Sequence, residues 1–410
     1  SYAVVISPMS DIITLKALFA IKKVLRGNKE TKTHVVSAIK DSECLIRFST
    51  EKDVMIQIDA LIARTISVSY RQAGLSKVLS SILSFEGSEF YLNNNKKYAQ
   101  KTFGELTLNM INAVPIGILR NKNLILIPNE NEKLLEGDEL LYYSENKEGI
   151  KYNQEEIKYE KTVATNRNQE ISREKDKKKN ILIFGYNEKL NIIYQYFGKD
   201  IEKVVIVNSD CGQIERIRET ATTRGDIVTE IVAEEINKCN LNKVVRNIDH
   251  IILLNDDSID REKSDMVNML LYLRLLNIRE DLSIHYTIIT ELNFNQNKEL
   301  IDNKYTNDFI VSSNITSMML AQMVEDVRIR PLFLELLSTQ GVNIIIKPYE
   351  EMLNNSSDLV SNIRHQLLQA GHIFLGYITT NSGETQYIYN PQSTENIKFK
   401  KDDRLILLGE

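Results

Sequence analysis

The chain has 410 residues, 42% of them apolar and 26% charged, with a net charge of −5. That length suits two or three domains and that balance a soluble globular protein. Nothing concentrates the basic field of a nucleic-acid binder, and no window approaches the roughly 18 consecutive apolar residues of a membrane span. Cys44, Cys211, Cys239 and five scattered histidines show neither pairing nor metal spacing, which fits a reducing compartment.

The chain opens at Ser1, without Met, directly on the apolar run 3–6, so a fragment of a longer protein is expected. A helix with an acidic first turn and a wide apolar face follows from Asp11, then a strand over 34–38. Leu75, Val78, Leu79, Ile82 and Leu83 carry the spacing of an amphipathic helix, stopped by Gly87. It leads into a strand over 89–92. Short strands over 115–119, 124–128 and 137–142, parted by Asn, Gly, Pro and Asp turns, describe a small β-rich lobe. Residues 145–179 are highly charged and aperiodic, and read as a solvated linker.

Beyond that linker the pattern returns. Asp265 opens a helix as Asp11 does, between a strand at 251–254 and another at 285–289. Ile329, Leu332, Phe333, Leu336, Leu337 and Gly341 fall in the register of Leu75 to Gly87, and strand runs at 375–378, 387–391 and 402–407 match the earlier β-rich lobe. Residues 180–249 alone lack a counterpart. They hold a strand ending in Gly185 and a second strand ending in Asn208, the opening of a doubly wound parallel sheet.

The expected fold is therefore α/β and tandem. Each copy is a Rossmann-like parallel sheet with crossover helices and a small β-rich C-terminal lobe, and the first sheet is truncated at its N-terminus. The boundaries are 1–66 for the second half of the first Rossmann-like lobe, 67–88 for its crossover helices and 89–144 for its C-terminal lobe. After the linker come 180–314 for the second Rossmann-like lobe, 315–341 for its crossover helices and 342–410 for its C-terminal lobe.

Chemistry is sought first at the turn after 180–184. A dinucleotide site needs several glycines so that the backbone can approach a pyrophosphate at a helix N-terminus. Here only Gly185 is present; the Asn187 side chain and Glu188 charge oppose a phosphate, and a plain strand-to-helix turn is favoured. Asn208 and Asp210 follow the second strand, and Asp226 sits where a third should end. With Gly185 and Asn187 they are the candidates for a small-ligand crevice at the carboxyl edge, against a reading of both acids as turn formers. Asp256 and Asp257, near Asp260, and the pair Glu325 and Asp326 are the candidate hard-cation ligands, with Ca²⁺ the ion they suit. Helix capping and interface ion pairs are the plainer readings. Met318, Met319 and Met323 form an adaptable apolar face suited to packing. No nucleophile elbow, Walker lysine or zinc-protease motif occurs, so no catalytic residue is assigned and no enzyme is expected.

Tandem Rossmann-like and β-rich lobes joined by crossover helices resemble RCK domains. More closely, the segments 72–91, 134–141, 309–326 and 344–348, with the turn at Gly185 and Tyr186, resemble the cytosolic region of the CASTOR/POLLUX ion-channel family. That resemblance implies a pore-forming membrane domain upstream, a homotetramer assembled through RCK interfaces into a gating ring on the cytoplasmic side of a membrane, and cation conduction. It also associates Ca²⁺ with such rings, without assigning ligands; the missing glycines after Gly185 make a dinucleotide cofactor unexpected. The rivals are a peripheral regulatory subunit resembling the Trk type and an NAD-dependent dehydrogenase, which would need the pyrophosphate loop this sequence lacks.

Overall fold

The computed structural model describes residues 3–6, 11–26, 33–39, 54–70, 72, 74–84, 86–153, 178–236, 238–301, 308–336, 341–355, 357–381 and 384–409. Strands β1 (Ala3–Ile6), β2 (His34–Ile39) and β3 (Val54–Gln57) form a parallel sheet in that order. Parallel neighbours need a crossover, and α1 (Asp11–Arg26) supplies one, laying Leu18 against Val35 and Ile39. Helix α2 (Ile58–Ser69) is buried on most of its surface; its Thr65 and Ser67 hydroxyls donate to the Leu61 and Ala63 carbonyls one turn back, which removes the cost of burying them. The expected boundary at residue 66 falls inside this continuous helix.

Helix α3 (Leu75–Leu83) follows, and β4 (Glu89–Asn93), α4 (Phe103–Asn109), β5 (Ala113–Arg120), β6 (Asn123–Leu126) and β7 (Glu139–Ser144) build an antiparallel sheet in the order β4-β7-β5-β6. The residues after β7 stay attached to this lobe: Ile111 N donates to Lys151 O at 2.9 Å and Asn153 N to Asn109 O at 2.8 Å. The ordered lobe thus extends to Asn153, past the expected start of the linker at 145. Residues 154–177 of that linker lie outside the described residues.

Six parallel strands come next: β8 (Lys179–Phe184), β9 (Ile201–Val207), β10 (Val228–Val232), β11 (His250–Leu253), β12 (Thr287–Leu292) and β13 (Asp308–Val311), in the spatial order β10-β9-β8-β11-β12-β13. Helices α5 (Lys189–Tyr196), α6 (Cys211–Thr222) and α7 (Arg261–Asp281) connect them. The strands read as near-continuous apolar runs because helices cover the sheet; Leu182, Phe184, Val205, Ile251, Leu253, Tyr272, Leu275 and Phe309 share one core. Helices α8 (Ser312–Glu325) and α9 (Arg330–Leu336) lead to β14 (Asn343–Pro348), β15 (Ser357–Leu359), α10 (Val360–Gln369), β16 (Ile373–Asn381), β17 (Glu384–Tyr389), β18 (Asn396–Lys398) and β19 (Arg404–Gly409).

The second antiparallel sheet, β14-β19-β16-β17, repeats the order of the first. Both carry a bulge at a glycine, Gly117 in β5 and Gly376 in β16. A Cβ on Gly117 would stand 2.5 Å from the Ile125 carbonyl oxygen, and one on Gly376 would meet the Ile388 carbonyl oxygen, so the neighbouring strand's approach dictates glycine at both.

The chain divides into two compact units, Ser1–Lys77 with Arg167–Val327 and Val78–Asn166 with Arg328–Glu410. The parallel sheets of both copies fall in the first and the antiparallel sheets of both in the second. Inside the first unit, Tyr70 sets its ring edge-on to Phe197 and His250 at 5.7 and 5.5 Å, and its hydroxyl accepts from Gly198 N at 3.2 Å. The Asp308 carboxylate at the start of β13 accepts from Gly74 N, Ser76 N and Ser76 Oγ at 3.1, 3.0 and 2.7 Å, and so caps α3 from the other copy.

Asp308→Ala strands three donors in a buried spot. A loss of about 2 kcal/mol or more in urea-unfolding stability is expected, with part retained in Asp308→Asn. His250 is neutral in the fold: burial, with the Lys179 charge, pushes its pKa down to about 4 against the opposing pull of Asp249 and Asp200. The unfolded chain takes up this proton at higher pH than the folded one, so His250 contributes stability above about pH 6.5 that is lost as pH falls toward 4. The thermal midpoint should decline less steeply over that window in His250→Gln than in the wild type.

Candidate ligand-binding crevice

The strand order of the six-stranded sheet reverses beside β8, whose neighbours are β9 on one side and β11 on the other. Loops leaving the carboxyl ends of β8 and β11 therefore diverge and open a crevice, the usual ligand position in such sheets. It encloses about 120 Å³ and is lined by Gly185, Asn208, Asp210, Gln213, Asp256 and Ser264, among others. Gly185 has φ +83°, and a Cβ there would stand 2.5 Å from the Leu254 carbonyl oxygen, so this glycine lets two strand ends approach.

The lining is pre-ordered. Asp210 caps α6, its Oδ1 accepting from Gln213 N at 2.8 Å, while Asn208 Oδ1 accepts from Asp210 N at 2.8 Å. Asn208 Nδ2 donates to Gln213 Oε1 at 2.7 Å, and Gln213 Nε2 reaches Asp256 Oδ1 at 3.3 Å. Asp256 Oδ1 also accepts from Ser258 N and Ser258 Oγ at 2.9 and 2.6 Å. Carboxylates from two loops thus face one small space whose lining also includes Val207, Ile236, Leu254 and Val267.

Beneath it lies a group that the sequence pattern did not single out. Glu291, 1% exposed at the end of β12, takes Lys189 Nζ at 3.2 Å, Asn187 Nδ2 at 3.0 Å, Asn255 N at 3.1 Å and Ser312 Oγ at 2.9 Å. Burial works against the Lys189 charge, but Glu291 first, then Asp257 and Asp59, more than offset it and hold the ammonium above its usual pKa. Asn268 Nδ2 donates to Asn255 Oδ1 at 3.0 Å and to the Glu291 carbonyl at 3.1 Å, and Ser264 Oγ reaches Asn255 Oδ1 at 3.3 Å. The only hint in the sequence is a lone carboxylate inside an apolar strand.

Of the crevice candidates, Gly185, Asn208 and Asp210 meet, and Asp256, expected as a cation ligand, joins them. Asn187 does not line the crevice: its side chain spans the Asn255 carbonyl oxygen and Glu291, fully buried. Asp226 stands apart, in a two-bond pair with Arg224 at 2.7 Å for each bond, and that guanidinium draws its carboxyl down to about 2. The remaining Arg224 nitrogen caps the end of α5 through the Tyr194 and Phe197 carbonyls, so Asp226 orients a capping arginine. Asp257 and Glu325 are exposed, and Asp326 ends α8 with its N–H on the Gln322 carbonyl. Among the described residues no three His, Cys, Asp or Glu side chains gather as a metal-holding group, so Asp256, Asp257, Glu325 and Asp326 do not form a shared cation cage there.

The family described as Castor and Pollux, part of voltage-gated ion channel, matches residues 59–161. The chain is 21% identical to the protein named Probable ion channel POLLUX of Arabidopsis thaliana, over 98% of this chain and 53% of that one. It is 22% identical to Ion channel CASTOR of Lotus japonicus, over 97% of this chain and 50% of that one. This chain is similar to the CASTOR and POLLUX ion channels. It spans about half the length of those relatives. Its fold is similar to that of the human SLO3 gating ring, with a TM-score of 0.64 at 13% identity over 95% of this chain and 84% of that structure. Both relatives are named as ion channels.

Removing the cation of the buried pair leaves the buried Glu291 carboxyl short of a partner. Lys189→Met should cost about 3 kcal/mol or more in chemical denaturation, and Lys189→Arg distinctly less.

Proposed function

We propose that this chain is the cytosolic gating-ring region of a tetrameric cation channel, in which a small ligand or ion in the crevice biases the crossover helices. The supporting observation is the match to CASTOR and POLLUX ion channels along nearly the whole chain, on a gating-ring fold. No helix of the described residues is long and apolar enough to cross a membrane, and the pore is assigned to the part of the relatives that this chain does not span.

The crevice and the crossover share hydrogen bonds. Ser264 and Asn268 border the crevice and hold Asn255; Asn255 N bonds Glu291; Glu291 bonds Ser312, the first residue of α8. A ligand that binds two arrangements of these loops with different affinity shifts the position of α8 by that difference. For assembly, α7 exposes Met266, Val267, Leu270 and Leu273, and α1, its counterpart in the repeat, exposes Ile12 and Val24. Apolar faces on equivalent helices suit contacts between copies that close into a ring.

Calcium is the first ligand to titrate, because Asp210 and Asp256 face one space. Two carboxylates fall short of a shell of six to eight oxygens, so carbonyls and waters would have to complete it. A dinucleotide fits poorly: the space is below the usual range of about 300–1,000 Å³ for cofactor sites, and the Asn187 and Lys189 side chains are committed to Glu291.

Light scattering and calorimetric titration of the purified chain with Ca²⁺, Mg²⁺, ATP and NAD⁺ test this reading. A tetramer-sized mass that falls in Leu270→Glu/Leu273→Glu, with saturable Ca²⁺ binding weakened about tenfold or more by Asp210→Asn/Asp256→Asn, is expected. A monomer at all concentrations that binds NAD⁺ tightly would overturn it.

A further inference from the structure

In the second unit, α10 begins with its first two N–H groups on the Glu395 and Ser393 carbonyl oxygens, at 2.9 and 3.0 Å. One turn along lies Arg364, the largest fully buried side chain among the described residues, 1% exposed. Its Nη1 donates to the Met110 and Ala113 carbonyls at 3.0 Å each, and its Nη2 to Asn390 Oδ1 at 3.1 Å and the Pro391 carbonyl at 2.7 Å. All four acceptors are neutral. Burial pushes this guanidinium down to about 9, and the one opposing charge is Glu395, an exposed side chain whose Oε1 takes Gln392 N.

Three further polar atoms in this region are buried and have no partner: Arg364 Nε, Ser361 Oγ and Ser393 Oγ. Ser361 and Arg364 are three residues apart and so share a helix face. The Ser361 N to Ser393 O bond sets the second serine beside the first. A charged N–H and two hydroxyls, each buried and without a partner, therefore belong to the start of one ten-residue helix and the loop bonded to it, and the one carboxylate that opposes the guanidinium, Glu395, has an exposed side chain.

We propose that Arg364 Nε, Ser361 Oγ and Ser393 Oγ form a buried site for a monatomic anion of the halide class. Such an ion accepts from all three donors at once and neutralises the guanidinium. A water molecule satisfies the hydrogen bonds but adds no charge, and leaves the buried guanidinium opposed only by dipoles and the exposed Glu395, the costlier arrangement. Because Arg364 grips carbonyls of the first copy's β-rich lobe (Met110, Ala113) from a helix of the second, the bound ion strengthens the joint between the two β-rich lobes.

Two measurements on the full chain decide the matter. Crystals grown in bromide should show an anomalous peak within hydrogen-bond distance of Arg364 Nε and both serine hydroxyls. In thermal unfolding, a tenfold rise in chloride above its dissociation constant should shift the equilibrium about tenfold toward the folded form relative to gluconate at equal ionic strength. Ser361→Ala/Ser393→Ala, which keeps the arginine and its four carbonyl and amide bonds, should lose most of that chloride dependence. A water without bromide density at the site, or an unchanged chloride response in the double variant, overturns the proposal.

Discussion

A single buried carboxylate organises the carboxyl edge of the six-stranded sheet. Four groups converge on Glu291 in the interior: a lysine ammonium, an asparagine amide, a backbone N–H and a serine hydroxyl. These come from the turn after β8, the end of β11 and the start of α8. A carboxylate withdrawn from water survives only when its charge and lone pairs are met. Its retention therefore fixes the relative positions of three loops and the first turn of the crossover helix.

The same interaction explains why this Rossmann-like sheet has a narrow crevice. In a dinucleotide fold the turn after the first strand is open, glycine-rich backbone facing a pyrophosphate. Here Asn187 and Lys189 occupy that turn and point inward to Glu291, so the fold supplies its own polar partner. What faces outward is a ring of loop side chains, Asn208, Asp210, Gln213 and Asp256, already bonded to one another. This surface is connected through Asn255 and Glu291 to α8.

The two copies do not fold as two separate bodies. Parallel sheets cluster with parallel sheets and antiparallel with antiparallel, and side chains cross between copies inside each unit: Asp308 caps α3, Tyr70 lies against His250, and Arg364 reaches the Met110 and Ala113 carbonyls. Helix α2, buried along most of its length, takes part in this interleaving within the first unit.

The sequence by itself determined the elements and their repetition. Apolar runs, helical spacing, and glycine and proline turns are local signals, and they placed many of the strands and helices, though not the strand at 54–57 or the helix at 58–69; the resemblance to CASTOR and POLLUX was legible in segments such as 72–91. Asp210 and Asn208 were legible because a strand end followed by a capping residue is also local. Tertiary structure alone decided the rest. Asn187 and Glu291 are 104 positions apart, and Ser76 and Asp308 are 232. No periodicity records such pairs, since they depend on which strands are neighbours and in what register. The same reason misplaced Asp226: a carboxylate two residues from an arginine reads as a site until the fold shows that arginine bound to the end of a helix.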